Sequence, residues 1–367
     1  MKNLIFISPV PWASFAQRPH KFVFWFHKRH GGRVLWLEPY GTRFPSWKDL
    51  SHTRKAIPIE SANSIPDWLT VCPVRHLPLE PIPGSGWLNG CLWWSAIRDA
   101  VNFANHGECI IAVGKPSVFS LGVLKALPNC VSIYDAMDNF PAFYSGISRL
   151  SMRRREQKIV AQVDKVWASS TLLYERWSHQ HNNVRLIRNG LDPDTMASVN
   201  PVTKTSKQAI FGYMGTIGKW FDWEMVFTLA KAVPEDIVRI VGPLHKAPPD
   251  TLPNNIEMLP PCAHSNAIGH ISRFDVGLIP FMKNTLTDSV DPIKYYEYRA
   301  LRIPVLSSDF GEMRYRKQEN GVYLVSELKE IENATKAIRR EVSNRSIDFA
   351  FMDANSWSTR FDQGDIV

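Results

Sequence analysis

Residues 289–312 read SVDPIKYYEYRALRIPVLSSDFGE, and how this stretch folds decides the class of the chain. Asp291 is a good helix N-cap, Pro292 suits the first helical position, and an apolar run from Pro304 to Ser307 follows about ten residues later. The stretch reads as helix, short loop, strand. Lys294 falls in the first helical turn, where the partial positive charge of the terminus disfavours a cation. An anion such as a phosphate between the two would resolve that conflict. Glu297 at i+3 and Tyr298 at i+4 lie beside Lys294 on the helix surface. The helix start therefore offers a phosphate site, a cation and a carboxylate able to accept hydrogen bonds from sugar hydroxyls. A solvated helix with a surface Lys/Glu pair fits the same residues equally well.

The segments before this stretch alternate in the same way. Ala209 to Met214, Ile237 to Val241, Asn255 to Leu259 and Asp275 to Pro280 are strand-like runs. Between Met214 and a helix capped by Asp222 stand Gly215, Thr216, Ile217, Gly218 and Lys219. Glycines at such a junction let backbone N–H groups approach a phosphate, and Lys219 adds charge. Glycines also serve ordinary tight turns. Downstream come a helix, Ile331 to Ser343, and a last segment, DFAFMDANSWSTRFDQ.

The first half has its own alternation. Leu4 to Ser8 is a strand, a helix begins near Arg18 and Pro19, and Arg33 to Glu38 is the next strand, so a parallel sheet is expected. The loop containing Trp12, Ser14 and Arg18 leaves the carboxyl end of the first strand, where doubly wound sheets bind ligands. A further strand is expected near Leu69 to Val74. Cys109 to Val113, Val131 to Tyr134, Lys165 to Ser169 and Val184 to Ile187 continue the series. Asp135 and Asp138 follow one of these strands and are placed for acid/base work or hydroxyl binding, or for a polar loop. Ser85 to Phe103 reads as a helix with Trp87, Leu88, Leu92, Trp93 and Ile97 on one face, which suits a core better than a bilayer interface. The basic run Arg149 to Lys158 suits a solvated face or an anionic lipid surface. Asn189–Gly190 marks a tight turn, Asp192 and Asp194 a hinge turn rather than a metal site, and the polar residues Ser198 to Lys207 a linker. The expected domains are 1–195 and 196–345, with 346–367 packing back toward the first.

Composition narrows the function. A hydrophobic fraction of 44% and a charged fraction of 21% belong to a globular protein and exclude disorder. Five cysteines with no CxxC pair fit a reducing compartment and core positions, and no zinc site or other metal or cofactor is expected. The net charge of +8 calls for an anionic partner: nucleotide, nucleic acid or acidic lipid. No aromatic-interleaved basic platform is present, so nucleic acid is not the expected partner. The start, MKNLIFISPVPW, is too short for a signal peptide, and no apolar run of about 18 residues predicts a transmembrane helix.

Four segments together resemble GT-B glycosyltransferases of the broad family-four type. They are DPIKYYEYRALRIPVLSS, GYMGTIGKWFDW, VDKVWASSTLLYERW with VRLIRNGLD, and NSWSTRF. WASFAQRPHKF and YDAMDNF also resemble bacterial polysaccharide-assembly enzymes of this fold, more distantly the xanthan glucuronosyltransferase. The resemblance implies an α/β fold of two Rossmann-like, doubly wound parallel-sheet domains facing a cleft. It implies that Lys294 and Glu297 bind the diphosphate and ribose of a nucleotide sugar, a UDP-sugar favoured. Gly215, Thr216, Lys219, Asp291 and Tyr298 complete the donor set, and Trp12, Ser14 and Arg18 the acceptor loop. The implied reaction moves a sugar to a hydroxyl of a lipid-linked oligosaccharide in polysaccharide assembly, at the cytoplasmic face of the membrane. If it inverts the anomeric centre a base must deprotonate the acceptor, and Asp138 is the first candidate and Asp135 the second. A nucleotide-sugar 2-epimerase and a non-catalytic membrane scaffold share the fold. The family often carries a glutamate eight positions before the ribose-binding one, and here that position is Ser289.

Overall fold

Short apolar runs such as CIIAV and VGLI form strands buried on both faces of two all-parallel sheets. The computed structural model describes residues 1–40, 65–77, 83–197, 208–262, 264–340 and 346–366. The expected linker at Ser198 to Lys207 and the expected helical residues 341–343 lie outside them.

Two compact units result: Met1–Ile187 with Gln363–Val367, and Arg188–Asp362. The division after Ile187 precedes the boundary expected at residue 195, and it has a local cause. Leu191 donates to the Asn355 carbonyl at 3.0 Å and accepts from the Trp357 amide at 3.0 Å, which ties residues 188–197 into the second unit. A Cβ on Gly190 would lie 2.7 Å from the Asn355 oxygen. That glycine is required by close backbone passage rather than by the tight turn expected at Asn189–Gly190. Asp192 and Asp194 open a short helix instead of a hinge turn. Of the last segment, only Gln363–Val367 joins the first unit.

The first unit contains β1 (Lys2–Ile7), β2 (Gly31–Leu37), β3 (Leu69–Cys72), β4 (Cys109–Val113), β5 (Val131–Ala136), β6 (Lys165–Ala168) and β7 (Val184–Leu186). They lie in the order β3-β2-β1-β4-β5-β6-β7, so the order reverses between β1 and β4. The helices are α1 (Arg18–His30), α2 (Ser85–Ala104), α3 (Val118–Ala126), α4 (Gly146–Val160) and α5 (Thr171–Ser178). Ile111, Val113, Tyr134, Val166 and Trp177 are among the residues of its core. α2 does not bury the face expected of it. Trp93 is buried, but Trp87 is 85% and Trp94 64% exposed, because Asn89, Trp93, Ala96 and Ala100 form the inward stripe. The cysteines are less uniform than expected too: Cys109 is buried and Cys91 exposed.

The second unit contains β8 (Ile210–Met214), β9 (Ile237–Val241), β10 (Ile256–Leu259), β11 (Val276–Ile279), β12 (Val305–Ser308) and β13 (Val322–Val325), in the order β10-β9-β8-β11-β12-β13. Its helices are α6 (Pro193–Ala197), α7 (Trp223–Ala232), α8 (His264–Ile271), α9 (Ile293–Ala300), α10 (Ile331–Arg340), α11 (Phe349–Ala354) and α12 (Trp357–Asp362). Asp222 caps α7 as its position predicts, accepting from the Met225 amide at 3.0 Å. The order reverses between β8 and β11, and the glycine loop and α9 follow those two strands.

Candidate active site

In the second unit the loop after β8 and the start of α9 meet. Gly215 has φ of +141°, a region that L side chains rarely adopt, and its amide donates to Val241 O at 2.9 Å. A Cβ there would lie 2.7 Å from Lys294 Nζ, so a side chain at this position would displace the end of the lysine. Ile217 N bonds Pro243 O at 2.9 Å, and Tyr213 donates its hydroxyl to Thr216 O at 2.8 Å, which together fix the loop. Lys294 Nζ stands 5.1 Å from the centre of the Tyr213 ring and 5.8 Å from that of Phe281. Burial lowers the Lys294 pKa, and the charge of Glu297 opposes that shift. A half-buried cation thus sits in the first turn of α9, against a glycine loop. Lys219 is exposed on the same loop.

Two other members of the predicted donor set have structural partners. Asp291 is not the N-cap of α9; Pro292 occupies that position. The Asp291 carboxylate instead receives the Asn189 amide at 2.8 Å, the Tyr296 hydroxyl at 2.8 Å and Arg316 Nη2 at 2.7 Å. Arg316 lies 3.7 Å from the centre of the Tyr295 ring, and sequence reading missed it because its distance from Asp291 along the chain carries no local signal. Tyr298 is fully buried, its hydroxyl 3.4 Å from the Met214 amide, and a Cβ on Gly277 would strike its ring. It supports the end of β8. Ser289 is wholly buried, and its Oγ has no hydrogen-bond partner among the described residues.

In the first unit Asp135 lies within β5, and Arg18 holds it from α1 through Nη2 at 2.8 Å and Nε at 3.0 Å. Both are buried. Asp138, just beyond the strand, is partly exposed, and its pKa is pushed up to about 7 by burial, with Arg18 opposing and Asp135 assisting. The two carboxylates are therefore differentiated: one is locked in an ion pair and the other titrates near neutrality.

The loop after β1, expected to meet the acceptor, is held by packing and local hydrogen bonds. Trp12 is buried, its ring centre 5.2 Å from those of His20 and Trp36, and its amide donates to Glu38 at 3.0 Å. Ser14 closes a local turn by donating to Pro11 O at 2.7 Å. His20 accepts from the Gln17 amide at Nδ1 and faces the Trp12 carbonyl with Nε2, which defines a neutral Nε2–H imidazole. Burial lowers its pKa in agreement.

Two parallel-sheet Rossmann-like units of seven and six strands define a GT-B fold. The solved structures of this shape include sucrose-phosphate synthase of Thermosynechococcus elongatus, 14% identical, covering 99% of this chain and 94% of that one at a TM-score of 0.62. Anabaena HepE in complex with UDP-glucose is 15% identical, with 99% and 96% covered and a TM-score of 0.60. The UDP-forming α,α-trehalose-phosphate synthase of Burkholderia xenovorans is 9% identical, with 99% and 98% covered and a TM-score of 0.58. No protein-family model and no curated protein sequence matches the chain.

Proposed function

We propose that the chain is a glycosyltransferase that moves a sugar from a nucleotide diphosphate sugar, a UDP-sugar favoured, to a hydroxyl of a lipid-linked oligosaccharide in polysaccharide assembly. The observation carrying this reading is Lys294, a half-buried cation at a helix start, whose ammonium end lies against the glycine loop at Gly215. A diphosphate between helix terminus and ammonium removes their mutual repulsion and is the group on which charge develops as the sugar leaves. Glu297, one turn on, accepts hydrogen bonds from the ribose. HepE, of the same fold, has been crystallised with UDP-glucose, which supports the choice of donor.

Asp138 is the base for an inverting transfer. With a pKa of about 7 it is about half ionised at neutral pH, more so above it, and is basic enough to take a proton there. Arg18, paired with Asp135, lies near enough for its charge to oppose the rise in the Asp138 pKa. Trp87 and Trp94, exposed on α2, support attachment of the first unit to an anionic membrane surface at the cytoplasmic face. No helix among the described residues is long and apolar enough to cross a membrane. The test is turnover of a panel of UDP-, GDP- and TDP-sugars. Lys294→Ala and Glu297→Ala are expected to lose at least tenfold in kcat/KM while remaining folded, and unchanged turnover contradicts the assignment. Epimerised sugar released without acceptor would replace transfer by epimerisation.

A further inference from the structure

α4 buries Ser151, Met152, Arg155, Glu156 and Ile159 and turns Arg149 and Arg153 outward. Beside it opens a cavity of about 250 Å³, lined by Arg149, Leu150, Arg153 and Glu156 from α4, by Arg176 from α5 and by Asn139. Arg176 Nη1 donates to Asn139 Oδ1 at 3.0 Å, which fixes one guanidinium at the wall. Asn139 follows Asp138 directly, so the cavity begins one residue from the assigned base.

Three guanidiniums face one carboxylate there. Glu156 accepts from the Tyr134 hydroxyl at 2.7 Å, and burial pushes its pKa up to about 7 even with Arg176 and Arg153 nearby. Near neutral pH it cancels at most one of the three charges, so the cavity stays cationic. Its edge is apolar: Leu150 is 54% exposed, and Ile147, one turn earlier on the same face, is 69% exposed. An arginine cluster beside exposed hydrocarbon matches an anion that carries a chain. Planar guanidiniums from two helices match the several oxygens of a phosphate better than the two of a carboxylate.

We propose that this cavity binds the phosphate or diphosphate group of the acceptor through Arg149, Arg153 and Arg176, with the attached chain over Ile147 and Leu150. The inference rests on the glycosyl-transfer reading and specifies the acceptor end of it. The donor helix would also take a diphosphate, so the experiment uses full-length Lys294→Ala protein. Inorganic pyrophosphate and farnesyl diphosphate are titrated into it calorimetrically, with and without Arg149→Ala and Arg153→Ala, and with Arg153→Lys as a charge-conserving control. Thermal melts check folding.

Binding in the Lys294→Ala background should weaken about tenfold for each arginine removed, with Arg153→Lys retaining part of the affinity. Tighter binding of farnesyl diphosphate than of pyrophosphate identifies a lipid phosphate, and equal binding a soluble phosphate ester. Absence of binding, or binding indifferent to both arginines, overturns the proposal. UDP binding by the wild-type chain is read in parallel. Its absence refutes the donor reading without altering the arginine result.

Discussion

Asp138 and Asp135 lie three residues apart and have been given opposite properties by their surroundings. Arg18 satisfies Asp135 within the sheet, whereas Asp138 has burial and a neighbouring negative charge to raise its pKa to about 7. A base must be ionised, so kcat/KM is expected to fall about tenfold per pH unit below 7 and to level off above it. Asp138→Asn should lower kcat by about 10²- to 10⁴-fold and abolish this dependence. A stability signature accompanies it. The raised pKa means that the folded chain binds more protons than the unfolded one between about pH 4 and 7, so stability is fully present below pH 4 and lost as pH rises through 7. Asp138→Asn should therefore raise Tm at pH 8 more than at pH 5, by several degrees. An unaltered pH–rate profile in that variant would remove Asp138 from the mechanism.

At the scale of elements, the β8 loop and the start of α9 work as one unit, because Gly215 and Lys294 occupy complementary space. Gly215→Ala puts a methyl 2.7 Å from Nζ and a side chain at φ +141°. It should cost about 1–3 kcal/mol of stability, read by denaturant unfolding, and weaken UDP binding at least tenfold. Wild-type behaviour would show that the contact is incidental. Much of this was legible in sequence. The helix–loop–strand order of residues 289–312, the glycines after β8 and the cap at Asp222 all depend on neighbours within a few residues. β13 was missed because its pattern, buried at both ends and half-buried between, is short and shares its neighbourhood with turn residues. Asp291 was misread as a cap because its real partners, Asn189 and Arg316, are remote along the chain. The packing of the Trp12 ring against Trp36 was not legible either, for the same reason of non-local contact.

Over the whole molecule, charge and exposed apolar surface are unevenly divided. The net charge of +8 is accompanied in the first unit by the exposed tryptophans of α2 and the arginines of α4. Flotation with vesicles containing anionic lipid should recover the chain, less so after Trp87→Ala and Trp94→Ala or in high salt. Failure of the wild type to float would make the α2 tryptophans ordinary surface. Ser289 marks where this molecule departs from the family it resembles: a wholly buried hydroxyl with no hydrogen-bond partner among the described residues stands where a sugar-contacting glutamate is expected. The central claim, however, is that the second unit receives a nucleotide diphosphate at Lys294. Calorimetric titration of UDP into the wild-type chain and into Lys294→Ala tests it most directly. The account predicts saturable binding by the wild type, weakened at least tenfold by the substitution; equal binding by the two proteins, or none by the wild type, would contradict it.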